Sequence, residues 1–165
     1  MRPFLFRMDA EEAHAFATRF LPLIPPVPMP ESPLLATDLG DPRLRFAHPV
    51  GLAAGFDKNG RWIRPLARLG FSSIEVGTVT PRAQPGNDRP RLFRYPEQRA
   101  LVNRLGFNND GAEALLARLR GGKHPVPVGI NLGKQRETPP EEASRDYAGL
   151  AARLAGVADY FVLNV

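Results

Sequence analysis

Cysteine is absent from this 165-residue chain, which excludes disulfide scaffolds, thiolate zinc sites and a cysteine nucleophile within it, and is compatible with a cytoplasmic setting. Serine stands only at Ser32, Ser72, Ser73 and Ser144, and none of these lies in a nucleophile elbow. No apolar run approaches the roughly 18 residues that span a bilayer. No charged-then-apolar segment ending in a cleavage site opens the chain, so export is not expected. Lysine is scarce: of 22 basic residues only Lys58, Lys123 and Lys134 are Lys. The formal charge is +5, but the arginines are scattered and no aromatic-rich strand motif accompanies them, so nucleic acid is not expected as a partner. His14, His48 and His124 lie far apart without ligand spacing, so no metal is expected. There is no Walker loop, since the run from Gly129 to Lys134 is one residue short, and no G-x-G-x-x-G follows a strand.

What is present is an ordinary globular balance, 43% apolar and 24% charged. The length suits a single domain of about 150 residues with a short appendage. Over 9–21, Ala13, Phe16, Ala17, Phe20 and Leu21 recur at helical spacing, with Asp9 and Glu12 placed as N-cap and reciprocal partner. Pro22, Pro25, Pro26, Pro28, Pro30 and Pro33 then predict an extended crossing. Residues 1–40 are therefore expected as an appendage and 41–165 as the body. In the body, apolar runs at 50–54, 73–79, 126–132 and 160–165 predict buried parallel strands. Helical patterns fall between them: Trp62, Ile63, Leu66 and Leu69; then Leu115, Leu116 and Leu119 after Asn109 and Asp110; then Tyr147, Leu150, Ala151 and Leu154, with Thr138 as N-cap and Pro139 at the first helical position. The order βαβαβαβ predicts a parallel α/β fold with right-handed crossovers. The stretch 80–108 is too long for a plain βα loop and predicts an inserted hairpin with strands at 92–95 and 100–102. Four such units make half of a closed eight-unit barrel, and the half has two unpaired edges.

Reactive groups in parallel α/β folds sit at the carboxyl ends of strands. There the sequence places Lys58, Thr78, Asn131 and Asn164 on one rim, among small Ala53, Ala54, Gly55, Gly77, Gly129 and Gly133. Small residues let a planar ring approach the backbone, amides donate to and accept from ring groups, and Lys supplies a point charge. Taken singly, each glycine can be a turn and each asparagine a cap; together they suit a flat, polar, partly anionic ligand.

The run GLAAGFDKNG at 51–60, EVGTVTP at 75–81, QPGN at 84–87, PRLFR at 90–94, NRLGFNN at 103–109 and GINLGK at 129–134 resembles, in order and spacing, the dihydroorotate dehydrogenase family, in particular its quinone-dependent, membrane-associated class 2. The resemblance implies a (β/α)8 TIM barrel of which this chain covers about the first four units. It implies FMN as cofactor, oxidation of dihydroorotate to orotate, and quinone as acceptor. Matched position by position, it assigns Ala54, Gly55, Phe56, Asp57, Lys58, Thr78, Asn131 and Asn164 to FMN. It assigns Lys58, Asn103, Arg104, Leu105, Gly106, Phe107 and Asn164 to the substrate. The N-terminal helix resembles the family's first helix, and implies peripheral association with the cytoplasmic face of a membrane. Leu5, Phe6, Phe16 and Phe20 would then lie at the lipid boundary, with Arg2, Arg7 and Arg19 near anionic headgroups. The other reading packs that stripe on the barrel.

The class 2 base is a Ser just after the Asn-Val pair, and these residues end at Asn164 and Val165. The phosphate-binding loops of a barrel's last units also lie beyond them. The 165 residues alone are therefore expected to bind FMN weakly or not at all and to be inactive. The proline stretch stands where relatives carry a second N-terminal helix. Two alternatives stay open: a soluble FMN barrel acting on dihydroorotate or a dihydropyrimidine with a Cys base, and a half barrel that assembles through its edges.

Overall fold

The computed structural model describes residues 2–29 and 32–165; Pro30, part of the expected crossing, and the side chain of Arg2 lie outside what is described. In chain order the elements are α1 (Arg2–Leu5), α2 (Ala10–Thr18), a short hairpin β1 (Thr37–Asp38) and β2 (Arg45–Phe46), α3 (Ile63–Arg68), β3 (Ile74–Val79), a second hairpin β4 (Leu92–Tyr95) and β5 (Ala100–Asn103), α4 (Ala112–Leu119), β6 (Val128–Gly133), α5 (Ala143–Leu154) and β7 (Tyr160–Asn164). The sheet order is β3-β6-β7, all parallel. Leu52 bridges in parallel to Ile74 on the outer side of β3.

Side chains alternate across these strands because the strand period is two. Ile74, Val76, Val128, Ile130 and Leu132 are all 0% exposed and pack against Leu66 of α3, Leu115 and Leu119 of α4, and Leu150 and Leu154 of α5. Each such burial contributes about 1.5–3 kcal/mol. The intervening positions Glu75, Gly77, Gly129, Asn131 and Gly133 carry no large apolar group, and the register sets Glu75 beside Gly129 and Gly77 beside Asn131.

Several expectations are corrected. The first strand, expected over 50–54, is regular only at the Leu52 bridge: Leu52 exchanges bonds with Ser73 and Glu75, and the Gly55 amide reaches the Gly77 carbonyl at 2.9 Å, but the glycine-rich chain turns away there. The helix expected over 9–21 ends at Thr18, whose hydroxyl donates to the His14 and Ala15 carbonyls, and Leu21–Leu23 form a 3-10 turn around Pro22. Its N-cap stands, with the Asp9 carboxylate accepting from the amides of Glu11 and Glu12. Its apolar stripe divides: Ala10, Ala13 and Leu21 are buried while Phe16, Ala17 and Phe20 are exposed. Thr138 is not the cap of the last helix. Pro139 precedes Pro140 and is pushed to an extended ψ of 150°, so Pro140–Glu142 form a 3-10 turn and α5 starts at Ala143. The inserted hairpin is present in antiparallel register from Leu92 with Asn103 to Tyr95 with Ala100.

Candidate functional site at the strand ends

The carboxyl ends of β3, β6 and β7 bring Thr78, Asn131 and Asn164 into one hydrogen-bonded cluster. The Thr78 hydroxyl donates to Asn131 Oδ1 at 2.5 Å. Asn164 Nδ2 donates to Thr78 Oγ1 at 2.9 Å and to Asn131 Oδ1 at 3.3 Å. Asn131 Nδ2 donates to Glu75 Oε1 at 2.8 Å, one step deeper on the inner face. The parallel register makes this cluster: Gly77 stands beside Asn131, and Gly133 beside Asn164. Gly77 has φ +101°, and a Cβ there would come within 2.5 Å of the Asn131 carbonyl, so the strand ends close only around glycine.

Lys58 stands on the loop after Leu52. Its ammonium donates to Asn108 Oδ1 at 2.5 Å, and burial, with help from the nearby Arg91 charge and against that of Glu11, pushes its pKa down to about 8. Such a cation is short of counter-charge and suited to an anionic ligand. Asp57 beside it is buried and its carboxylate accepts from the amides of Arg61 and Trp62, holding the entry to α3; burial raises its pKa despite these bonds. Ala54 is half-buried and Gly55 exposed along the same loop. Phe56 meets the ring of His14 edge-on at 4.7 Å, which sets helix α2 beside the loop.

The segment 103–107 runs from β5 back toward the rim. Asn103 and Arg104 are exposed. Asn103 Oδ1 accepts from the Leu105 amide at 3.4 Å, and Arg104 donates to the Pro90 carbonyl and stacks at 6.0 Å over Phe93. Phe107 holds a φ of 53°, uncommon for a bulky residue, and such outliers cluster at ligand clamps. It approaches the end of β6: a methyl group on Gly133 would touch its ring at 3.8 Å and run into the Thr78 methyl at 2.5 Å. Thr78, Asn131 and Asn164 are thus in direct contact and Phe107 closes on them. Lys58 reaches the same segment through Asn108, while Asn103 and Arg104 lean on the hairpin.

Sequence reasoning assigned no role to Asn108, Asn109, Gln84 or Gln135. Asn109 Oδ1 accepts from the amides of Thr80 and Gly111, so the loop is tied to the end of β3 and to the start of α4. Gln84 Oε1 accepts from Gln135 Nε2 at 3.0 Å, Gln84 Nε2 donates to the Gly106 carbonyl at 3.1 Å, and the Gln135 amide donates to buried Asp146 at 2.9 Å. Gln84, Asn108 and Asn109 lie in the segments QPGN and NRLGFNN that carry the resemblance, while Gln135, after β6, had no signal of its own. Among the described residues no group of His, Asp and Glu could hold a metal ion.

A parallel β/α wall with a polar cluster at its strand ends defines part of a (β/α) barrel. The chain belongs to the dihydroorotate dehydrogenase family, whose model matches residues 36–165. It is 50% identical over 168 residues to a dihydroorotate dehydrogenase (quinone) of Halorhodospira halophila, covering all of this chain and 49% of that one. It is 51% identical over 176 residues to the protein of the same name from a Roseiflexus species, covering 48% of it. The crystal structure of DHODH from Eimeria tenella in complex with ferulenol superposes with a TM-score of 0.83 at 34% identity, over 93% of this chain and 43% of that one. The chain thus spans about half the length of the relatives it matches. Membership of the family implies a flavin cofactor. The strand ends suit a flat polar group, since Gly77 and Gly133 carry no side chain there and the amides of Asn131 and Asn164 stand beside them, while deeper on the same face the Tyr160 ring covers Gly129.

Proposed function

We propose that this chain forms the first half of an FMN-dependent dihydroorotate dehydrogenase that oxidises dihydroorotate to orotate and passes the electrons to a quinone. The observation that carries the reading is the hydrogen-bonded convergence of Thr78, Asn131 and Asn164 at the strand ends, with Lys58 held by Asn108 next to Phe107 in the neighbouring loop. FMN bound at this rim supplies the hydride acceptor. Ala54, Gly55, Phe56 and Asp57 shape the loop against the cofactor, and Thr78, Asn131 and Asn164 offer it hydroxyl and amide partners. Lys58 serves both ligands: its ammonium holds the substrate carboxylate and favours negative charge on the reduced cofactor, by electrostatics prepared before reaction. Asn103, Arg104, Leu105, Gly106 and Phe107 form the substrate side, with Asn164 completing it. The proton-accepting serine belongs to the half of the family's length that these residues do not span.

In this reading residues 1–40 are an extension serving the membrane and the quinone, and 41–165 are barrel. The exposed aromatic row supports it: Phe4, Phe16 and Phe20 are 59%, 36% and 48% exposed, with rings 6.1 and 5.1 Å apart. No helix among the described residues is long and apolar enough to cross a membrane; the row instead suits a surface lying in the interface at the cytoplasmic face. Flotation with anionic vesicles should carry the intact chain and leave behind one lacking residues 1–40; equal flotation removes the anchor.

The functional reading is tested by titrating a protein of the family's full length that carries these residues as its first half with FMN and then orotate, since the 165 residues alone are expected to hold FMN weakly or not at all. Quenching of flavin fluorescence, and a further change with orotate, is expected, and both should be lost in Lys58→Ala. A protein indifferent to both ligands overturns it.

A further inference from the structure

Away from the rim, Arg91 is a charged side chain only 7% exposed, and it faces two ways. Toward helix α2, its Nε and Nη2 donate to the Glu11 carboxylate at 2.9 and 2.6 Å, and Arg89 adds a bond to the same carboxylate at 3.2 Å. Toward the loop before β4, its Nη1 donates to the carbonyls of Pro85 and Asn87 at 2.5 and 2.9 Å. Only the guanidinium fork can serve both sides at once; an ammonium is a single point. The turn that Arg91 holds is in turn clamped to the 103–107 segment. The Asn87 amide donates to the Leu105 carbonyl at 3.1 Å and Asn87 Nδ2 to the Arg104 carbonyl at 2.7 Å, while the Arg104 amide donates to the Arg91 carbonyl at 2.9 Å. Gly106, at φ +69°, lies so close to Asn87 that a Cβ would come within 2.8 Å of its amide group. An unbroken series of short contacts therefore runs from Glu11 on α2, through Arg91 and Asn87, to residues 104–106.

We propose that Arg91 is a positioning residue that couples the docking of helix α2 to the order of the 103–107 segment, so that whatever displaces the helix also loosens the segment. This rests on the functional reading only in calling that segment the substrate side; it then links the substrate end of the protein to its quinone and membrane end. Besides this ion pair the helix is held by buried Ala10, Ala13 and Thr18, by the His14–Phe56 ring contact, and by Arg94, which donates to the Met8 carbonyl just before it at 2.8 Å; Phe16 stays outside. A two-state contact at Glu11 that both ends can bias is the physical requirement for such coupling.

Hydrogen exchange on the ligand-free chain tests it, with Glu12→Gln, on the exposed face of the same helix, as reference. In Glu11→Gln the amides of Asn87 and Arg104 should exchange about ten-fold faster along with those of 10–18, while the strand amides of 74–79 and 128–133 keep their rates. Arg91→Lys keeps a charge for Glu11 but cannot also reach both carbonyls, so it should retain most protection in 10–18 and lose it at Asn87 and Arg104; a merely structural contact loses both or neither. Acceleration confined to 10–18, or shared equally by the strands, overturns the proposal. If Glu11→Gln does not fold, Glu11→Asp, which withdraws the carboxylate by one methylene, decides by the same comparison. No ligand enters this measurement, so its failure leaves the flavin and orotate reading standing. Indifference to those ligands with coupled exchange intact removes that reading and leaves the coupling.

Discussion

Strands β3 and β6 have two faces made of alternate residues of the same few-residue segments, and they could hardly differ more. The face toward α3, α4 and α5 is Ile74, Val76, Val128, Ile130 and Leu132, none with measurable exposure. The opposite face is Glu75, Gly77, Gly129, Asn131 and Gly133, and ends in the cluster with Thr78 and Asn164. The first face is what holds the sheet; the second carries small residues and gathers hydrogen-bonding groups at the strand ends. Stability and binding are thus separated by a period of two, and substitutions one residue apart should act on different properties.

The largest effect is expected on the packing face. Ile130→Ala removes a fully buried side chain and should cost about 2–5 kcal/mol in urea unfolding. In the protein of the family's full length, FMN affinity per folded molecule should stay unchanged. Its neighbour Asn131→Leu keeps the volume but leaves Glu75, Thr78 and Asn164 each short of a partner. That should cost about 1–3 kcal/mol, less than Ile130→Ala, and yet weaken FMN binding at least about ten-fold. If Asn131→Leu instead binds FMN normally, or Ile130→Ala weakens binding as much, the two faces are not functionally distinct.

The packing face was the easier to read in advance. Apolar runs at 73–79 and 126–132 announce buried strands because hydrophobic burial is local in sequence and roughly additive. The strand ends Thr78, Asn131 and Asn164 were legible for the same reason, since register follows once the strands are placed. Less legible were contacts that depend on where a long loop folds back. Nothing in the spacing says that Asn108 meets Lys58, that Gln84 meets Gln135, or that Glu11 meets Arg91 across 80 residues. The N-terminal stripe misled in a physical way. Helical periodicity reports which side is apolar, but α2 docks through its small residues and an ion pair, so Phe16 and Phe20 face outward. Consecutive prolines at 139 and 140 moved the last helix start by steric rules that a cap pattern alone does not weigh.

The smallest expected effect has the opposite sign and separates the two faces most sharply. Lys58 belongs to the rim, and its pKa falls from an ordinary 10.5 to about 8, chiefly because burial disfavours the charged form. Below about pH 8 the ammonium is charged in both folded and unfolded chains, and the desolvation cost is present in full. Between about pH 8 and 10.5 the unfolded chain holds more protons than the folded one, so stability rises with pH across that window. Lys58→Met removes the cost at every pH. It should be more stable than the parent near pH 7 by roughly 1 kcal/mol, a modest figure because the partly exposed ammonium is screened by solvent, and the difference should shrink as pH approaches about 10. Tyr160, whose pKa burial raises, acts in the reverse direction at alkaline pH, but it is common to both chains and cancels in the difference. Urea midpoints of the two chains at several pH values give that difference directly. Curves that run parallel from pH 7 to 10 would mean that Lys58 is not desolvated. A converging pair, with Lys58→Met more stable and unable to bind orotate, would mark the rim as a place where the fold gives up stability to keep a charge available to a ligand.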